Sequence, residues 1–119
     1  MKKFWKILLI VSGVLVFFGL AFYGYDVTIG QKREPTFFAA PRWFCDMYWK
    51  GITLPPVGMF VCEKNGVHER LRAHELVHWE QYRRTSTVGF YTRYFFHYMK
   101  AGFSYTDNAM EVEAREKSN

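Results

Sequence analysis

The residues His74-Glu75-Leu76-Val77-His78 carry the most specific chemistry in this sequence. On a helix, side chains four residues apart point the same way, so both imidazoles can converge on one ion, with Glu75 about 100° round the axis from His74. Zinc held by two histidines and a carboxylate keeps a fourth position for water, lowers that water's pKa toward neutrality and polarises a scissile carbonyl. Glu75 is then the general base that takes the water's proton and hands it to the leaving amine. With four histidines and eight glutamates in 119 residues, the pattern arises by chance in only about 1% of chains of this composition. A candidate third ligand lies downstream on another helix, which carries Glu111 and Glu113. They stand about 200° apart on a regular helix, so only one can face the ion. Asn108 and Glu111 have capping-box spacing, which would tie Glu111 back to the Asn108 N–H and leave the role to Glu113. Gln81, within about 60° of His78, is a candidate for orienting an imidazole ligand. His97 and Tyr98 are candidates for hydrogen-bonding a developing oxyanion; otherwise His97 is solvated and Tyr98 packs in the core.

These residues need helices to position them. No Gly or Pro interrupts VHERLRAHELVHWEQYRR, which predicts a helix from Val67 to Arg84 with His68 solvated at its start. Thr85 to Gly89 reads as a break, followed by a helix over Phe90 to Ala101 that ends at Gly102. Arg93, His97 and Lys100 share one face of it and aromatics fill the rest. A core helix with one solvated stripe is the preferred reading, a helix in a membrane interface the other. A last helix starts near Asn108. Upstream, Trp43 to Val61 reads as two short strands turning through Pro55-Pro56, with Asn65-Gly66 closing the second. A third strand is compatible with this pattern. That hairpin brings Cys45 and Cys62 within about 7 Å, close enough for a disulfide in an oxidising compartment; two buried thiols are the alternative.

Ile7 to Tyr25 is an uncharged run of 19 residues after Lys2, Lys3 and Lys6, and about 28 Å of helix is enough to cross a bilayer. It is longer than the apolar core of a signal peptide and runs into Phe22, Tyr23 and Tyr25, which resemble an interfacial aromatic belt. The expectation is a single-pass signal anchor contacting the membrane through residues 4–25, with a cytoplasmic N-terminus and the rest periplasmic or extracellular. Three of the five net positive charges lie in this leader, so no strongly basic nucleic-acid surface remains. Residues 26–41 read as a connector lying over the folded part, with Phe37 and Phe38 docking on it.

HELVH with Gln81, a Tyr-rich helix and the block Asn108-Ala109-Met110-Glu111-Val112-Glu113-Ala114-Arg115 resembles the small zincin-like domains of bacterial and phage proteins, whose pattern is HExxHxxQ followed by N-P-F-E-x-E-A. The chain is more distantly similar to gluzincin metallopeptidases. The resemblance covers roughly residues 52–116 and implies zinc, with His74, His78 and Glu111 as ligands and Glu75 as base. It departs at Arg115, where gluzincins carry an acid that orients a ligand histidine. The expected fold is α+β: a transmembrane helix (1–25), the connector, and a minimal zincin-like domain (42–119) built from a short hairpin or sheet and about three helices, HExxH on the first. The expected function is a membrane-anchored zinc metallopeptidase acting on a peptide or protein substrate. The alternative is an inactive zincin-like binding or structural membrane protein.

Overall fold

The computed structural model describes residues 2–48, 50–62 and 69–118. The chain is α+β: helix α1 (Lys2–Thr28), a 3-10 turn at Gly30–Lys32, strand β1 (Phe37–Ala39), helix α2 (Arg42–Tyr48), strands β2 (Gly51–Leu54) and β3 (Gly58–Val61), and helices α3 (Glu69–Arg84), α4 (Thr87–Lys100) and α5 (Ala109–Lys117).

The uncharged run forms most of α1, which is long and apolar enough to cross a membrane, and none of its most apolar stretch is buried against the rest of the chain. The helix continues past Tyr25 because Asp26, completely buried, is fixed in the head. One carboxylate oxygen accepts the Tyr82 hydroxyl at 2.6 Å and the Thr87 hydroxyl at 2.7 Å; the other accepts the Thr87 backbone N–H at 2.7 Å. Gly30 then passes so close to Tyr82 that a Cβ there would overlap the tyrosine hydroxyl. Beyond it, Gln31 donates to the Arg83 carbonyl and Arg83 to the Arg33 carbonyl, each at 3.0 Å.

Residues 26–41 are therefore more than a connector. Phe37–Ala39 joins the sheet as β1, parallel to β3, and β2 pairs antiparallel on the other side, with Leu54 opposite Gly58. Alternation along β3 turns Met59 and Val61 inward and leaves Phe60 to stack on Phe38 at 5.3 Å. The hairpin turn through Pro55-Pro56 is as expected, but Arg42–Tyr48 is helical, not a strand. Pro41 precedes it and accepts the Cys45 N–H at 3.1 Å, a helix-start signal that outweighs the β-propensity of Trp43 and Phe44. HELVH accordingly lies on the second helix after α1, not the first. Cys45 on α2 bonds Cys62 after β3, Cα atoms 5.6 Å apart. The closing role of Asn65-Gly66 and the helix start at Val67-His68 fall outside the described residues.

Helix α3 packs on the sheet through Trp79 and Tyr82, which form the core with Met59, Phe90 and Met110. The break before α4 is shorter than expected, because the Ser86 hydroxyl accepts the Gly89 N–H at 2.9 Å and caps a helix that begins at Thr87. Its end is as expected, with Gly102 at φ +71°. The core-helix reading is overturned: only Thr87 and Phe90 are fully buried, and most of the aromatic face is exposed.

Candidate metal centre

One turn of α3 separates His74 from His78, and the first turn of α5 brings Glu111 across to both. Glu111 Oε2 lies 2.8 Å from His74 Nε2, and Oε1 lies 2.9 Å from His78 Nε2. The three ligand atoms fall within 4.8 Å of one another. Donors at tetrahedral zinc stand about 3.3 Å apart, a spacing that the 2.8 and 2.9 Å Glu111–histidine separations and the 4.8 Å outer limit bracket. Glu113 points elsewhere, to Arg84 at 2.6 Å and Gln81 at 3.1 Å.

The start of α5 explains this choice between glutamates. The Asn108 side chain accepts the Met110 N–H at 2.9 Å and donates to the Tyr94 carbonyl at 3.1 Å. Its own N–H donates to the Tyr105 carbonyl, so the capping box does not form and Glu111 is released to face α3. Tyr94, on the inner side of α4, donates to Glu111 Oε1 at 2.9 Å. Burial would raise the Glu111 carboxyl, but the imidazoles of His74 and His78 and the Tyr94 hydroxyl outweigh it and hold the group well below the ordinary carboxylate range. Burial and the Glu111 charge push the Tyr94 phenol far up, so it remains a donor.

Gln81 holds His78 from behind. Its Nε2 donates to the Met110 carbonyl at 3.0 Å and to Glu113 Oε1 at 3.1 Å, both acceptors. The amide oxygen must therefore be the atom 2.8 Å from His78 Nδ1, and it can only accept. The Nδ1 position thus carries a proton, and in the neutral ring Nε2 is a lone pair. That buried Nε2 has no hydrogen-bond partner among the described residues, although Glu111 Oε1 is 2.9 Å away. Two acceptors so close require a cation or a proton between them. Burial would lower the His78 pKa, yet Glu111, Gln81 and Glu75 raise it above the ordinary imidazole value.

Glu75 lies beside this group and is buried. Thr53 on β2 donates to its Oε2, and its Oε1 faces Gly51, where an added Cβ would be 3.5 Å away. Burial raises its pKa, partly offset by Thr53 and the two imidazoles. His97 instead lines a separate cleft with Arg84, Arg93 and Glu113, and the Tyr98 ring packs against Phe103 at 5.6 Å. Neither is among the groups around Glu75. Tyr94, Thr53 and Tyr105, whose phenol hydrogen-bonds Glu111, are residues that sequence reasoning missed. Tyr94 follows Phe90 by one turn on the buried side of α4, a usable signal; Thr53 offers none beyond being the one polar residue in GITL.

No family model, curated protein or solved structure matches this chain.

Proposed function

We propose that the chain is a membrane-anchored zinc metallopeptidase with a zincin-like head, hydrolysing peptide bonds in a peptide or protein substrate. The observation that carries this reading is the convergence of His74, His78 and Glu111, with the His78 Nε2 2.9 Å from Glu111 and a buried glutamate alongside. Two imidazole nitrogens and one carboxylate oxygen form a donor set suited to catalytic zinc. When bound, zinc supplies Lewis acidity toward a carbonyl and a water of near-neutral pKa.

The remaining work belongs to the chain. Gln81 fixes the His78 tautomer, and Tyr94 fixes the Glu111 rotamer. Thr53 occupies one oxygen of Glu75, leaving Oε1 to take and return a proton. Burial brings this carboxyl closer to neutral pH, as a general base that later acts as an acid requires. Helix α1 serves as a single-pass anchor, and its three leading lysines keep the N-terminus in the cytoplasm. The Cys45–Cys62 bond suits an oxidising compartment on the other side.

Metal analysis of the detergent-solubilised chain, together with turnover of a broad peptide mixture, tests the proposal. The expected result is one zinc per chain, lost in His78→Ala and kept in Glu75→Gln, with hydrolysis lost in both. Zinc retention with no hydrolysis by the unaltered chain supports the inactive binding or structural reading instead.

A further inference from the structure

The exposed side of α4 is too apolar for water. Val88, Tyr91, Phe95 and Met99 follow at three and four residues and form one stripe, with Phe96 beside it. Val88 is 50% exposed, Phe95 57%, Phe96 54% and Met99 43%. Exposed Arg93 and Lys100 border it on the Phe96 side, and no acidic residue occurs from Thr87 to Thr106. An aromatic face bordered by basic residues is the pattern of a helix lying in a lipid–water interface.

Position selects the occupant. The stripe begins at Val88, which with Gly89 lines a groove against Val16, Gly19, Leu20 and Tyr23 of α1. The apolar surface of the anchor is thus continuous with that of α4. The Asp26 bonds to Tyr82 and Thr87 fix the start of α4 beside the end of α1. Whatever solvates the outer half of α1 therefore also meets the first turns of α4.

We propose that the outer face of α4 is seated in the surface of the bilayer that α1 crosses, with Phe95, Phe96 and Met99 among the upper acyl chains and Arg93 and Lys100 against lipid phosphates. This rests on the membrane-anchored reading of α1. Tyr94, on the inner side of the same helix, donates to Glu111, so the metal ligands stand about one helix diameter, roughly 10 Å, from lipid. The substrate class that follows is a polypeptide segment held close to the membrane surface.

Both cysteines are bonded to each other, so an introduced thiol can be labelled selectively. The full chain carrying Phe95→Cys, Met99→Cys, Leu15→Cys or Glu116→Cys is labelled with an environment-sensitive fluorophore and reconstituted into phosphatidylcholine–phosphatidylglycerol vesicles containing nitroxide lipids. Labels at 95 and 99 are expected about 5–10 Å below the phosphates, the label at 15 deep in the bilayer, and the label at 116 in water. A deep label at 15 with water-exposed labels at 95 and 99 overturns the α4 proposal and leaves the anchor intact. A label at 15 outside the bilayer overturns both. Labels at 95 and 99 shielded from water yet unquenched by lipid overturn the bilayer as occupant in favour of a second protein surface.

Discussion

Replacing Gln81 by leucine should weaken zinc binding by about 10- to 100-fold, the range for losing the group that orients a ligand imidazole. The substitution removes three bonds, at 2.8 Å to His78 Nδ1, 3.0 Å to the Met110 carbonyl and 3.1 Å to Glu113. With no acceptor behind it, the imidazole proton can shift to Nε2 and turn toward Glu111, so zinc must first displace it. The corresponding free energy is about 1.4–2.7 kcal/mol. Gln81→Glu separates orientation from stability. Its carboxylate still accepts from His78 Nδ1, so affinity should stay within a few fold of the parent. It also faces the Met110 carbonyl and Glu113 with no proton to donate, so the domain should melt lower. Zinc affinity is measured by competition with a chromophoric chelator in detergent, and folding by thermal melting of the metal-free protein. Parental zinc affinity in a folded Gln81→Leu chain would refute the tautomer argument.

Other consequences are checked as directly. Glu75→Gln should keep zinc and lose about 100- to 10,000-fold in turnover, the usual contribution of a general base, as read by metal content and peptide hydrolysis on one preparation. Thr53→Val removes the hydrogen bond that lowers the Glu75 pKa, so the acidic limb of the kcat/KM profile should move to higher pH. Zinc affinity should fall as pH falls, because the raised His78 pKa makes a proton the ion's competitor; chelator titrations across the pH range test the sign and the release of protons on binding. Gly30→Ala forces a methyl into the Tyr82 hydroxyl, and overpacking of this kind typically destabilises by about 1–3 kcal/mol, measured as a lower melting temperature.

The parts of the site that repeat at helical spacing were legible in the sequence. His74, His78 and Gln81 share a helix, and the block around Glu111 resembles a known pattern. The choice of Glu111 over Glu113 needed the fold, because it turns on whether the Asn108 N–H bonds Glu111 or the Tyr105 carbonyl. Helix α2 was missed because its aromatics favour strands while Pro41 alone announces a helix. β1 is three residues long and exists only through pairing with β3, which no local period reveals. Thr53 meets Glu75 across 22 positions, and Asp26 meets Thr87 across 61. The exposed aromatics of α4 misled for a different reason: apolar residues imply contact with something apolar, but not that the contact lies within the same chain.

The buried carboxylate of Asp26 also sets the reach of the protein. Had residues 26–41 been a flexible linker, the head would wander about 22 Å from its anchor, the r.m.s. span of such a chain. Three hydrogen bonds to Tyr82 and Thr87 remove that freedom. For the proposed membrane-anchored peptidase, a head welded to its shaft would work as a ruler, addressing bonds at one height above the membrane and ignoring the same sequence presented farther out. Its search would be lateral, in two dimensions, and selectivity would then come from where a substrate's bond sits as much as from the residues beside it.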